Sequence, residues 1–250
     1  MRLILNNSTD PAFNLAAEEY LLNTATEKIC MLWRNERAVI VGRNQNTIDE
    51  IDQTYAETHG IRVHRRLTGG GAVFHDLGNI NFTLIEPEEE RHFNNYDWFT
   101  ADLTGFLAAL GVNAQLNDRN DVLIQDRKIC GNAQCVQDGK VLHHGCILYD
   151  ADLTMLAAAL RPDPEKLRRR GIASVASRVA NIRGYMANEL SAEEFLNGFA
   201  EYIKQRHSCA AYHFTKKEAA RIQLLADRKY ASREWNYGAS PDWDGKVSPC

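Results

Sequence analysis

Residues 65–82 read RRLTGGGAVFHDLGNINF: two arginines, three consecutive glycines, then a strand-like run. Glycine loses more backbone freedom on folding than any other residue, so a triplet in an ordered region needs a tight turn or a close approach to something. A turn between strands accounts for one or two of them. Three glycines beside Arg65 and Arg66, with His75-Asp76 just beyond, also fit a loop that aims backbone N–H groups at an anion. The stretch is not a phosphate-binding P-loop, because no Lys-Ser or Lys-Thr follows. It is not a dinucleotide fingerprint either, because Phe74 stands where the third glycine is needed.

The surrounding chain can support such a loop. With 250 residues, 44% of them hydrophobic, it can bury one large core. A formal net charge of -4 argues against a nucleic-acid partner and against a polybasic membrane surface. No apolar run approaches the ~20 residues that span a bilayer. The apolar run Leu3–Leu5 is too short for a signal peptide. Six cysteines, Cys30, Cys130, Cys135, Cys146, Cys209 and Cys250, read as free thiols, so a cytoplasmic location is expected.

Helical and strand-like segments alternate without a repeat. Asp10-Pro11 opens a helix expected to run through Glu27, with Phe13, Ala16, Ala17, Tyr20 and Leu21 as its apolar positions. Strands follow near Cys30–Arg34 and Ala38–Arg43. A helix from Asn46-Thr47 stops at Gly60, and a strand over Arg62–Arg66 enters the glycines. Asn79–Ile85 alternates as a strand, and a helix from about Tyr96 to Leu110 ends at Gly111. Three more strands are expected at Val122–Ile124, Lys128–Val136 and Val141–Tyr149, the last two joined by the hairpin turn Gln137-Asp138-Gly139-Lys140. Ser191 with Glu194, and Thr215 with Glu218, match capping boxes in a mostly helical C-terminal third. Helices before, between and after antiparallel strands predict an α+β domain.

Three further constellations are chemically suggestive. Asn120-Asp121, followed by Lys128-Ile129-Cys130-Gly131, places a carboxylate and an amine across a turn, a pattern suited to a metal-bound phosphate and a reacting oxygen. A solvated turn is the plain alternative. His143-His144-Gly145-Cys146, with Cys130 and Cys135, matches none of the compact zinc spacings; Cys146 with a neighbouring histidine as base remains open as a nucleophile. Pro164–Asn181, PEKLRRRGIASVASRVAN, is either a solvated basic face or a segment that closes over an anionic intermediate.

Taken in chain order, RRLTGGGAVFHDLGNINF, RNDVLI, DRKICGNAQ, HHGCILYDADL, KLRRRGIASVASRVANI and REWNYG make the sequence resemble the lipoate–protein ligase A family over almost its whole length. The resemblance implies the α+β catalytic domain of biotin and lipoate ligases, a mixed or antiparallel sheet flanked by helices, over residues 1–238. The glycine-arginine loop of biotin ligases is absent. ATP, Mg2+ and lipoate are the implied reactants: lipoate is activated to lipoyl-AMP and passed to a lysine of a lipoyl domain. The implied acceptors are the lipoyl domains of 2-oxoacid dehydrogenase complexes or the glycine-cleavage H protein.

Lys128 maps onto the family's key lysine. Arg66, Gly71, Ala72, Val73, Phe74, Asn79, Asn120, Asp121 and Lys128 map onto the adenylate side, with Asp121 the candidate for magnesium. Gly70, Val73, Lys128, Gly131, Ala133 and His144 map onto the lipoate side. The Pro164–Asn181 segment maps onto the adenylate-covering loop.

Two departures stand out. Residues 239–250 form only a short tail where full-length ligases carry an accessory domain. A separate accessory protein is therefore expected, or a chain that transfers from preformed lipoyl-AMP. Arg161-Pro162-Asp163-Pro164 holds no thiol where octanoyltransferases carry their cysteine, which leaves a thioester on Cys146 as the rival route. A non-catalytic lipoate sensor ranks behind both, since Lys128 and Asp121 are present.

Overall fold

The computed structural model describes residues 1–88, 92–117, 120–160 and 178–238. Most of the basic segment, its Arg161–Pro164 approach and the 239–250 tail therefore lie outside the described residues. In chain order the elements are β1 (Arg2–Leu5), α1 (Pro11–Thr24), β2 (Ile29–Trp33), β3 (Ala38–Val41), α2 (Thr47–Glu50), α3 (Gln53–Thr58), β4 (Arg62–Arg65), β5 (Val73–His75), β6 (Asn79–Pro87) and α4 (Tyr96–Ala109). They continue with β7 (Gln115–Leu116), β8 (Asp121–Ile124), β9 (Arg127–Gln137), β10 (Lys140–Leu148), α5 (Leu153–Ala159), α6 (Ala192–His207), β11 (Ala210–Tyr212), α7 (Lys216–Leu225) and α8 (Arg233–Tyr237).

Eight strands form one mixed sheet in the order β11-β1-β2-β6-β10-β9-β8-β7, and β4-β3-β5 form a second, smaller one. This is the expected α+β architecture. Strand β2 is buried along its whole length because both faces of the large sheet are covered. On one face Cys30 and Leu32 meet Phe106, Phe195 and Phe199 of α4 and α6. On the other Met31 and Trp33 meet Leu15 and Leu22 of α1 and Ile222 of α7. The hairpin turn forms where expected: Asp138 and Gly139 both have positive φ, 49° and 69°, as a two-residue turn of matching twist requires.

The expected helix over residues 46–60 is instead two helices. Ile51 bridges Leu160, Asp52 N donates to Ala159 O, and Asp52 Oδ1 accepts from Tyr55 N to start the second helix. Tertiary pairing thus outweighs helix propensity at that point. Strands β1, β7 and β11 were not expected; β1 pairs with β2 and with β11 from the far end of the chain.

Three histidines are buried neutral. His64 Nδ1 donates to Tyr230 O at 2.9 Å. His143 accepts from Gln134 Nε2 at Nδ1, donates from Nε2 to Asn132 Oδ1, and stacks on Phe99 at 4.6 Å. His75 accepts from Asn35 Nδ2 at 3.0 Å. Burial pulls all three below the ordinary 6.5, His75 to about 3. Below pH 6.5 the unfolded chain therefore binds more protons than the folded one, so stability is present above that value and lost as pH falls through it. The slope approaches about 1.4 kcal/mol per pH unit for a histidine such as His75, whose folded value lies well below this window. Urea denaturation from about pH 7 down to about pH 5 should show a steadily falling midpoint; a flat profile contradicts this account.

Candidate active site

The site is built on one row of residues running across the large sheet. Trp33 pairs with Asn81, Asn81 with Cys146, Cys146 with Gly131, and Gly131 with Asp121, so five neighbouring strands each place one residue in line. Paired residues share a face of the sheet. A cavity of about 140 Å3 lies over this row and is lined by the first four of these residues.

Lys128 joins the row through an irregularity. Val122 pairs with Cys130 but Leu123 pairs with Lys128, so β9 carries one extra residue, Ile129, as a β-bulge. Regular pairing would put Lys128 on the opposite face from Asp121. The bulge sends Ile129 into the core and turns Lys128 to the face of Asp121, the use to which bulges are put beside active sites. Lys128 Nζ then lies 2.8 Å from Asp121 Oδ1. Gly131 makes room for it, because a Cβ there would sit 2.6 Å from Nζ. The last described part of the basic segment docks alongside: Ala180 N donates to Lys128 O and Arg127 donates to Val179 O.

The glycine loop forms a second wall. Arg66 is buried beneath it and donates to Thr68 Oγ1, Ile40 O, Gly69 O and Gly71 O. Burial pulls it down to about 10, which leaves it cationic at neutral pH. Gly70 has φ +93° and its oxygen would stand 2.2 Å from a Cβ at Gly42, so these two glycines are demanded by the fold. Gly69 and Gly71 face open space, room that the fold itself does not use.

Arg66 begins a buried relay. Thr68 donates to His144 Nε2, His144 Nδ1 donates to Glu18 Oε1, Thr83 donates to the same Glu18 oxygen, and Trp33 Nε1 donates to Thr83. A cation and a carboxylate inside the protein are thus joined through a hydroxyl and an imidazole, with every link satisfied as buried polar groups require.

Arg65, expected beside Arg66 as an anion partner, turns away from the cavity. Its guanidinium donates to the carbonyls of Gly42, Arg43, Gln45, Trp235 and Asn236 and to Thr47 Oγ1, while Asn236 Oδ1 accepts from Arg65 N. It bolts the REWNYG segment to the loop that supports Gly70.

Of the residues singled out from the sequence, Arg66, residues 70–73, Asn120, Lys128, Gly131, Ala133 and His144 line the cavity. Phe74 packs in the core beside Val39 and Val41, Asn79 lies buried with Nδ2 on Cys146 Sγ at 3.3 Å, and Asp121 stands behind Lys128. Asn120 and Asn132 lock together, each amide donating to the other's carbonyl. Trp33 and Asn81 also line the cavity, and Glu18 and Thr68 stand in the relay behind it; none of these four was anticipated, whereas His75, noted beside the glycines, lines the cavity as well. Burial pushes the Cys146 thiol up to about 12, and its hydrogen-bond partner is Asn79 rather than a histidine.

The lipoyl protein ligase A/B catalytic domain matches residues 10–204. Lipoate–protein ligase 1 of Staphylococcus aureus is 40% identical over 247 residues, covering 98% of this chain and 75% of that protein. A chain from the bi-partite lipoate protein ligase and lipoyl domain system of Thermoplasma acidophilum superposes with a TM-score of 0.80 at 30% identity, covering 97% of this chain and 98% of that one. A lipoate–protein ligase A bound with ATP superposes with a TM-score of 0.79 at 29% identity, covering 95% and 98%. The glycine cradle, the re-aimed lysine and the slot across the sheet are features of a chain that belongs to the lipoyl protein ligase A/B catalytic-domain family.

Proposed function

We propose that this chain is an ATP-dependent lipoate–protein ligase working in the cytoplasm. The observation that carries the reading is the row across the sheet, with the Lys128 amine at one end, the Trp33 slot at the other and the glycine loop walling the same cavity. In the first step a carboxylate oxygen of lipoate attacks the α-phosphorus of ATP, and the bond from that phosphorus to pyrophosphate breaks. Lys128 neutralises oxygens of both anions, while Arg66 and the backbone of residues 69–72 oppose the charge that builds up. In the second step an acceptor lysine amine attacks the acyl carbonyl, the bond to AMP breaks, and an amide remains.

Magnesium fits as a companion of the nucleotide. Among the described residues no three His, Cys, Asp or Glu side chains cluster as a cage. Asp121 offers one carboxylate, which suits an ion that takes its other ligands from phosphates and water. Asp121 would hold it, and when bound it would supply further charge neutralisation on the phosphates. Transfer through a Cys146 thioester is disfavoured: although Cys146 lines the cavity, at neutral pH the group is a protonated thiol, and His144 is already engaged by Thr68 and Glu18.

Acceptors of this reading are lipoyl domains of 2-oxoacid dehydrogenase complexes or the glycine-cleavage H protein. Likeness to a bi-partite ligase supports an accessory protein that assists adenylation; without it the chain works from preformed lipoyl-AMP. The test is ATP–pyrophosphate exchange with lipoate, with and without such a protein. Exchange only when both are present is expected, efficient exchange by this chain alone removes the need for the partner, and no exchange under either condition overturns the ligase reading. In the active assembly, Lys128→Ala should lower exchange by roughly 10²–10³-fold at unchanged melting temperature. Gly131→Ala should act in the same direction, since its Cβ displaces the amine; full activity in both variants contradicts the role given to Lys128.

A further inference from the structure

Two polar groups in the cavity wall have no task in the chemistry above. Asn81 Nδ2 and His75 Nε2 are buried without a hydrogen-bond partner, and both residues line the cavity. Unpaired buried donors are rare in folded proteins, because each carries the cost of its lost hydration.

A chain of amides decides the chemical form of His75. Asn14 Nδ2 donates to Ser8 O and Arg34 O, so the orientation of its amide is dictated by carbonyls. The same –NH2 group, its two hydrogens shared among three acceptors, also faces Asn35 Oδ1 at 2.8 Å, which leaves Asn35 Nδ2 to donate to His75 Nδ1. With Nδ1 accepting and the ring neutral, His75 carries its proton on Nε2 and is a donor there. Asn81 Nδ2 is a donor by its nature.

Position along the row gives these donors a meaning. Asn81 is two strands from Gly131, or roughly 10 Å from the Lys128 end at the usual strand spacing. Trp33 is one strand further, and the His75 ring lies edge-on to it at 6.1 Å. An acyl chain of lipoate's length with its carboxylate at Lys128 brings its far end over Asn81 and His75.

We propose that Asn81 and His75 select the acyl tail, favouring one whose far end carries hydrogen-bond acceptors, the ring sulfurs of a dithiolane, over a saturated chain of the same length. An alkyl tail buries both donors against carbon. Disulfide sulfurs are polarisable and accept weakly, so they return part of what desolvation removes. A site with donors already in place discriminates chiefly by leaving them unpaired with the wrong ligand. The inference rests on the ligase reading and adds the preference within it.

Calorimetric titration of the full chain with two non-reactive adenylate analogues, lipoyl- and octanoyl-sulfamoyl adenosine, tests it. The wild-type chain should bind the lipoyl analogue roughly tenfold or more tightly. Asn81→Leu should weaken lipoyl binding, tighten octanoyl binding and bring the ratio close to one. Asn81→Ser, which keeps one donor, should retain part of the preference and covers the case in which the leucine variant fails to fold. Equal binding of both analogues by the wild-type chain, or an unchanged ratio in a folded variant, overturns the selection while leaving the ligase reading intact. Binding of neither analogue overturns both.

Discussion

One inserted residue in β9 decides where the amine of this site points. Without the bulge at Ile129, regular pairing would carry Lys128 to the helix-covered face of the sheet, among Val122 and Ile147, where a charge has no partner. With it, the amine meets Asp121 and lies over Gly131, at the end of a row whose other members come from β10, β6 and β2. Those strands are held by packing on both faces, so the row inherits the rigidity of the core. A site laid across strands rather than along a loop keeps its spacing by the strand repeat itself.

The two arginines divide the remaining work between them. Arg66 puts a buried positive charge under the glycine loop and fastens Gly69 and Gly71 from inside through their carbonyls. Its counter-charge, Glu18, is kept at a distance by Thr68 and His144. Such spacing leaves the field of Arg66 available to a ligand anion while sparing the fold an isolated buried charge. Arg65 has the complementary task of tying the Trp235-Asn236 segment to the loop that backs Gly70. The pair of adjacent arginines is therefore one cation for the site and one bolt for its frame.

How far the sequence revealed this varied with the range of the interaction. The α+β class, the Asp138-Gly139 turn, both capping boxes and the cavity residues of the glycine loop and the Lys128 strand were legible, because each depends on local pattern or a short motif. Glu18 was hidden: beside Glu19 in an amphipathic helix it looks like a solvated face, and only the tertiary approach of His144 and Thr83 gives it partners. Asn81 and Trp33 read as ordinary strand residues until the register places them in line with Gly131. Arg65 and Arg66 are indistinguishable as letters, since alternation along β4 and the turn after it send them in opposite directions. The break at Ile51–Asp52 likewise depends on Ala159 and Leu160, far along the chain.

The central claim is that the acyl chain lies across the strands with its carboxyl end at Lys128. A crystal structure of the chain with lipoyl-sulfamoyl adenosine tests it most directly. The account predicts the acyl carbonyl within hydrogen-bond distance of Lys128 Nζ, the nucleotide against residues 69–72, and the dithiolane over Asn81 and Trp33. A reversed acyl chain, or one lying along a strand outside this cavity, would contradict it.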